Sequence, residues 1–146
     1  MPFWQQTLVG LLALICGAVS GIAEPLVIQN DRGGYLAKQL DRLAELKKSD
    51  RRVEVRGDVC FSTCTLYLSL PNMCADAETI FGFHGPMRIG RRMSTEEFNY
   101  FSQLIASHYP ERIGQWYLEK GREKRFSVHK IKARDMAQYG VKICDS

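Results

Sequence analysis

The segment GDVCFSTCTLYLSLPNMCADAETIFGFHGP, residues 57–86, carries a serine inside a cysteine-bracketed Ser/Thr stretch, Ser62, and a histidine before Gly-Pro, His84. Acyl transfer requires such a pair. A hydroxyl attacks, a base within hydrogen-bond reach takes its proton, and backbone N–H groups receive the developing oxyanion. A serine that opens a helix after a strand offers its hydroxyl at the positive helix end, with the next N–H, that of Thr63, beside it. The pair Gly33-Gly34, after the run PLVIQN, lets backbone approach a substrate carbonyl closely because it lacks Cβ atoms. Singly, each feature has a plainer explanation: a helix cap for Ser62, a structural or surface histidine for His84, an ordinary turn for the glycines.

Four of the five cysteines, Cys60, Cys64, Cys74 and Cys144, lie beyond the apolar leader described below. An even number in an exported chain points to two disulfides, and four cysteines allow three pairings, among which the sequence does not choose. A zinc site would have to combine Cys60, Cys64 and Cys74 with a ligand such as His84, at spacings unlike the common finger patterns, so no metal is assigned. A thiol redox pair at Cys60 and Cys64 departs from the usual Cys-x-x-Cys spacing.

The elements that must position these groups follow from periodicity. PLVIQN reads as a strand that stops at the Gly-Gly turn, and Tyr35, Leu36, Leu40, Leu43 and Leu46 recur at helical spacing. RRVEVRG alternates as a second strand ending at Gly57. STCTLYLSL is a buried helix opening at Ser62 or Thr63, with a strand as its competitor, and AETIFGFHGP is a third strand running into a turn. Ser94 and Glu97 form a capping box ahead of Phe98, Phe101, Leu104 and Ile105. Pro110 opens a helix that stops near Gly121, ARDMAQY is a last helix ending at Gly140, and VKIC is a candidate final strand. Strand–helix alternation predicts an α/β domain with a small, mainly parallel sheet of βαβ units and C-terminal helices. Its functional residues gather at the carboxyl ends of the strands.

The chain has 146 residues and a net charge of +4. LVGLLALICGAV followed by SGIAEP has the form of a secretory signal over residues 1–23, cut after Ala23, leaving one domain over 24–146. The leader holds no Lys or Arg, so an uncleaved anchor is the competing reading, and membrane contact is expected through it alone. Basic clusters such as RIGRR and KGREKR are interleaved with acidic residues, and the aromatics do not alternate with them. That pattern describes a solvated surface and argues against nucleic acid.

From VIQNDRGG through GDVCFSTCTLYL and TIFGFHGP to DMAQYGV, the chain resembles the Clp protease proteolytic subunit and the wider ClpP/crotonase superfamily. It is most similar to small exported, predicted periplasmic ClpP-like proteins with a Cys-x-Ser-Ala-Cys-Thr segment and a Gly-Phe-His. The resemblance implies Ser62 as nucleophile, His84 as general base, and the N–H groups of Gly34 and Thr63 as oxyanion hole. It also implies a peptide or protein substrate, substrate binding or self-association through the helices between His84 and Gly140, and no cofactor. The family's third catalytic member is an Asp some residues before the closing Tyr-Gly. The corresponding window, Lys124 to Val128, holds no carboxylate, and Glu123 stands just outside it. The expectation is therefore a periplasmic or secreted serine hydrolase, a peptidase, with a Ser-His dyad or an incomplete triad in which Glu123 is the candidate third member. The alternative is a catalytically inactive binding module of the cell envelope.

Overall fold

The computed structural model describes residues 23–146, together with Met1 and Gly21. The leader expected over 1–23, with Cys16, falls outside the described residues apart from those three positions. Among the described residues no helix is long and apolar enough to cross a membrane.

The chain runs β1 (Leu26–Asp31), α1 (Leu36–Ser49), β2 (Val53–Phe61), a 3-10 helix (Ser62–Ser69), β3 (Met73–Ala75) and β4 (Ile80–Phe83). It continues as α2 (Thr95–His108), α3 (Glu111–Trp116), a π-helical turn (Tyr117–Gly121), β5 (His129–Lys132), α4 (Ala133–Met136) and a closing 3-10 turn (Ala137–Tyr139). The alternation expected as far as the histidine is present. α1 buries Leu43 and Leu46, and Gln39 with them, while Tyr35 stands outside the helix at its N-cap and is exposed.

The sheet is α/β in class but mixed rather than mainly parallel. Its order is β1-β2-β4-β5, with β3 also on β2. The β1–β2, β2–β3 and β2–β4 pairings are parallel, and β4–β5 is antiparallel. The helical excursion between β4 and β5 brings the chain back beside β4 in the opposite sense, which a strict βαβ succession does not do. β2 is long enough to serve two neighbours. Val53–Val55 pair with β3, and Val59–Phe61 pair with β4.

β2 does not stop at Gly57. Gly57 takes φ +82 within the strand, at a bulge where Gln29 pairs with Arg56 but Asp31 pairs with Cys60. Asn30, itself at φ +52, accepts at Oδ1 from the N–H groups of Asp58 (2.7 Å) and Val59 (3.3 Å). A Cβ on Gly57 would stand 2.9 Å from that oxygen, so glycine is required for the side chain to sit there. The kink carries the strand four residues past the expected end and delivers Ser62. VKIC is not a strand: Ile143 makes an isolated bridge to Ala75.

The capping box on α2 is present, with Ser94 accepting from the Glu97 N–H and Glu97 accepting from the Ser94 N–H. Arg91 grips the same carboxylate at 2.8 and 2.5 Å, and with the capping bond it holds the Glu97 pKa down at about 2. Gly140 ends the last helical segment at φ +92, as a helix-stopping glycine should.

Two disulfides resolve the pairing that the sequence left open. Cys60 joins Cys64 (Cα–Cα 5.3 Å), and Cys74 joins Cys144 (4.9 Å). They fit an oxidising, extracytoplasmic compartment. They also consume the thiols of the zinc alternative, and among the described residues no group of three or more His, Cys, Asp or Glu side chains is placed to hold a metal ion.

Candidate functional site

β1, β2 and β4 run parallel, so Gly33-Gly34, Ser62 and His84 all follow the carboxyl ends of adjacent strands. They line one cleft of about 860 Å³, together with Thr63 and residues of α2. That volume is in the range of small-molecule and peptide sites. The structure thus brings together five of the residues that the sequence singled out, Gly33, Gly34, Ser62, Thr63 and His84, and adds Tyr109 to them.

Ser62 is the first residue of the 3-10 helix and has φ +58. Among the described residues two other non-glycine positions share a positive φ, Asn30 and Asp50. Asn and Asp tolerate the left-handed region through local hydrogen bonds, whereas a serine held there is a backbone outlier sustained by its surroundings. Three contacts sustain it. The Cys60–Cys64 disulfide closes a short ring around Ser62, and both sulfurs are fully buried. Thr65 Oγ1 donates to the Ser62 carbonyl at 2.7 Å. Gly33, at φ +88, presses against the turn so closely that a Cβ there would lie 2.6 Å from Ser62 Cβ and 2.9 Å from Thr63 N.

The carbonyl of Ser62 can only accept, so the Thr65 proton is committed to it, and the 2.5 Å contact of Thr65 Oγ1 with Tyr109 Oη has the phenol as donor. Burial pushes the Tyr109 phenol well above its ordinary pKa, so it remains a neutral donor. The chain Tyr109, Thr65, Ser62 therefore braces the turn from beneath.

His84 follows β4 directly. Its Nδ1 lies 2.6 Å from the Gly85 carbonyl oxygen, an atom that can only accept, so Nδ1 donates its N–H and, in the neutral imidazole, the lone pair is on Nε2. The backbone around it is fixed twice. Tyr117 Oη donates to the His84 carbonyl at 3.0 Å, and the Gly85 N–H donates to the Lys124 carbonyl at 2.7 Å. Beneath, Phe83 packs edge-on to Tyr109 and Trp116. Gly85 is also crowded, because a Cβ there would stand 2.3 Å from the Arg122 carbonyl oxygen and 2.8 Å from the Phe98 ring.

The segment that holds no carboxylate in sequence, 124–128, therefore approaches the histidine through its backbone. Glu123 is exposed, and the hydrogen bond of the His84 ring goes to Gly85 rather than to it. Ser62 and His84 share the cleft without a hydrogen bond between their side chains. The Gly34 N–H is engaged, donating to Thr63 Oγ1 at 2.9 Å, and the Gly33 N–H donates to Asp31 Oδ1 at 2.7 Å.

Sequence reasoning missed Thr65, which reads as an ordinary member of a buried helix, and Tyr109, which stands between two expected helices. A threonine three residues after Ser62 in a helical turn was the available signal, since its hydroxyl can return to the carbonyl of the residue three before it. No protein-family model matches the chain, and no curated protein matches it.

Proposed function

We propose that the protein is a serine hydrolase acting on acyl bonds, with Ser62 as nucleophile and His84 as base. The observation that carries this reading is the left-handed backbone of Ser62, held by a disulfide, a glycine and a buried hydrogen-bond chain in a cleft shared with a histidine of defined tautomer. Strain kept at a cleft residue by surrounding structure is characteristic of functional positions.

In the reaction, Ser62 Oγ attacks the substrate carbonyl carbon while its proton passes to His84 Nε2. The tetrahedral oxyanion then collapses, the bond to the leaving group breaks, and Nε2 returns the proton to the departing amine or alkoxide. Water attacks the resulting acyl ester by the same exchange and regenerates Ser62. The Gly85 carbonyl takes the place of the orienting carboxylate. It fixes the tautomer but adds no full negative charge to stabilise the imidazolium, so turnover is expected to be slower than with a complete triad.

The engaged Gly34 N–H alters the oxyanion hole. Thr63 Oγ1 uses a lone pair on Gly34, which leaves its proton free to point into the cleft beside the Thr63 N–H. Thr63 thus supplies two donors, and Gly34 acts by polarising the hydroxyl. The order of elements and the motifs support placement with the ClpP-like hydrolases and a peptide bond as the target, and the disulfides support an exported, periplasmic or secreted location.

One observation favours a second reading, a non-catalytic binding module: Ser62 and His84 are not hydrogen-bonded to each other. Labelling the oxidised protein with a fluorophosphonate separates the two. An adduct on Ser62 that disappears in Ser62→Ala and falls at least tenfold in rate in His84→Ala is the expected result. A folded protein that takes no label sinks the hydrolase.

A further inference from the structure

The charged groups of the cleft have one sign. Arg32 and Arg88 line it, and among the described residues no Asp or Glu does. Arg32 directly precedes the Gly33-Gly34 turn and Arg88 lies four residues after His84, so the two arginines belong to the two segments that flank the nucleophile. Among the described residues Arg32 makes no ion pair, and Arg88 shares its one partner, Glu97, with Arg91. Arg32 lies over the Phe61 ring, 5.5 Å from its centroid, and Arg88 reaches Glu97 only at 3.6 Å, on a carboxylate that Arg91 already holds. The apolar part of the lining includes Leu66, Met87, Met93, Phe101 and Ile105. Ile89, on the same rim, is 84 % exposed.

Resting on the reading of this cleft as the substrate site of Ser62, we propose that it takes peptides in which an apolar residue at the attacked bond is flanked by acidic residues. An apolar side chain buries against Leu66, Phe101 and Ile105, where it gains transfer free energy. Carboxylates on either side meet the planar donor forks of the arginines. Arginines on two separate segments suit two acidic positions along an extended chain, whereas an acyl chain with a single head group would satisfy one.

The test uses oxidised full-length Ser62→Ala, which binds without turnover, and dye-labelled decapeptides with a central leucine flanked by Glu, Gln or Lys. The Glu peptide is expected to bind about tenfold more tightly than the Lys peptide at low salt, converging at about 0.5 M salt as the charges are screened. Arg32→Gln and Arg88→Gln should each reduce that preference about threefold. Equal affinities, no binding, or displacement by decanoate but not by unlabelled Glu peptide would overturn the proposal. The hydrolase reading is judged separately on wild type. Ser62 labelling without peptide preference removes only the substrate class, and Glu-peptide preference without labelling removes only the chemistry.

Discussion

Gly33 and Ser62 follow different strands, yet their backbones meet so closely that a methyl group on Gly33 would stand 2.6 Å from Ser62 Cβ. The glycine turn is thereby part of the mould that holds the nucleophile. Gly33→Ala is expected to lose about 1–2 kcal/mol from the left-handed backbone alone, and more from the clash. Its Ser62 labelling should fall at least tenfold, because the clash is with the reactive residue. Urea unfolding and labelling rates check both; a variant that labels at the wild-type rate would show that the contact does not set the turn.

Ser62 itself should be less stable in place than the residue best suited to its conformation. Ser62→Gly is expected to raise stability by up to about 1 kcal/mol relative to Ser62→Ala, since glycine adopts φ +58 without Cβ strain. Both variants abolish labelling. Equal unfolding midpoints for the two would mean that no strain is stored at this position.

Thr63→Val keeps the shape of the side chain and removes the hydroxyl that Gly34 engages. Acylation is expected to slow by about 10²-fold, the usual cost of one oxyanion donor, with recovery in Thr63→Ser. Faster acylation in Thr63→Val would instead identify the freed Gly34 N–H as the donor.

The two disulfides should divide their effects. On the chain-entropy account, the short Cys60–Cys64 ring stabilises by about 2 kcal/mol, and the much longer Cys74–Cys144 ring by about 4 kcal/mol. Replacing Cys74 and Cys144 by alanine should therefore cost more in unfolding free energy. Replacing Cys60 and Cys64 should cost more in Ser62 labelling, because that bond encloses the residue concerned.

The succession of β1, α1, β2, the 3-10 helix and β4 was legible because each is marked by periodicity or by a stop signal. The capping box at Ser94 and the stop at Gly140 were legible for the same reason. What escaped depends on distant partners. β3 is three residues long and exists by pairing with Val53–Val55. β5, with the sequence HKIK, is a polar edge strand lacking the apolar run of a buried one, and its antiparallel approach to β4 is what makes the sheet mixed. Gly57 looked like an end because glycine usually marks one, but Asn30 from β1 fills its missing side chain and carries the strand onward. At the site, residue types announced Ser62, His84 and the glycine turn. The use of Gly85 O as orienting acceptor and the engagement of Gly34 could not be read, since each joins a side chain to a backbone group, and the backbone group has no residue-type signature.

The bond between Cys74 and Cys144 closes a covalent ring that contains β4, His84, α2, α3 and β5. The ring also contains the exposed residues 123–127, the kind of surface segment that proteases cut. A single cleavage there would not release the C-terminal piece, which would stay tethered to β3, and the nick would show on a gel only after reduction. Loss of the last residues from Cys144 onward would open the ring, and the same nick would then separate His84 from the strand β5 that flanks it.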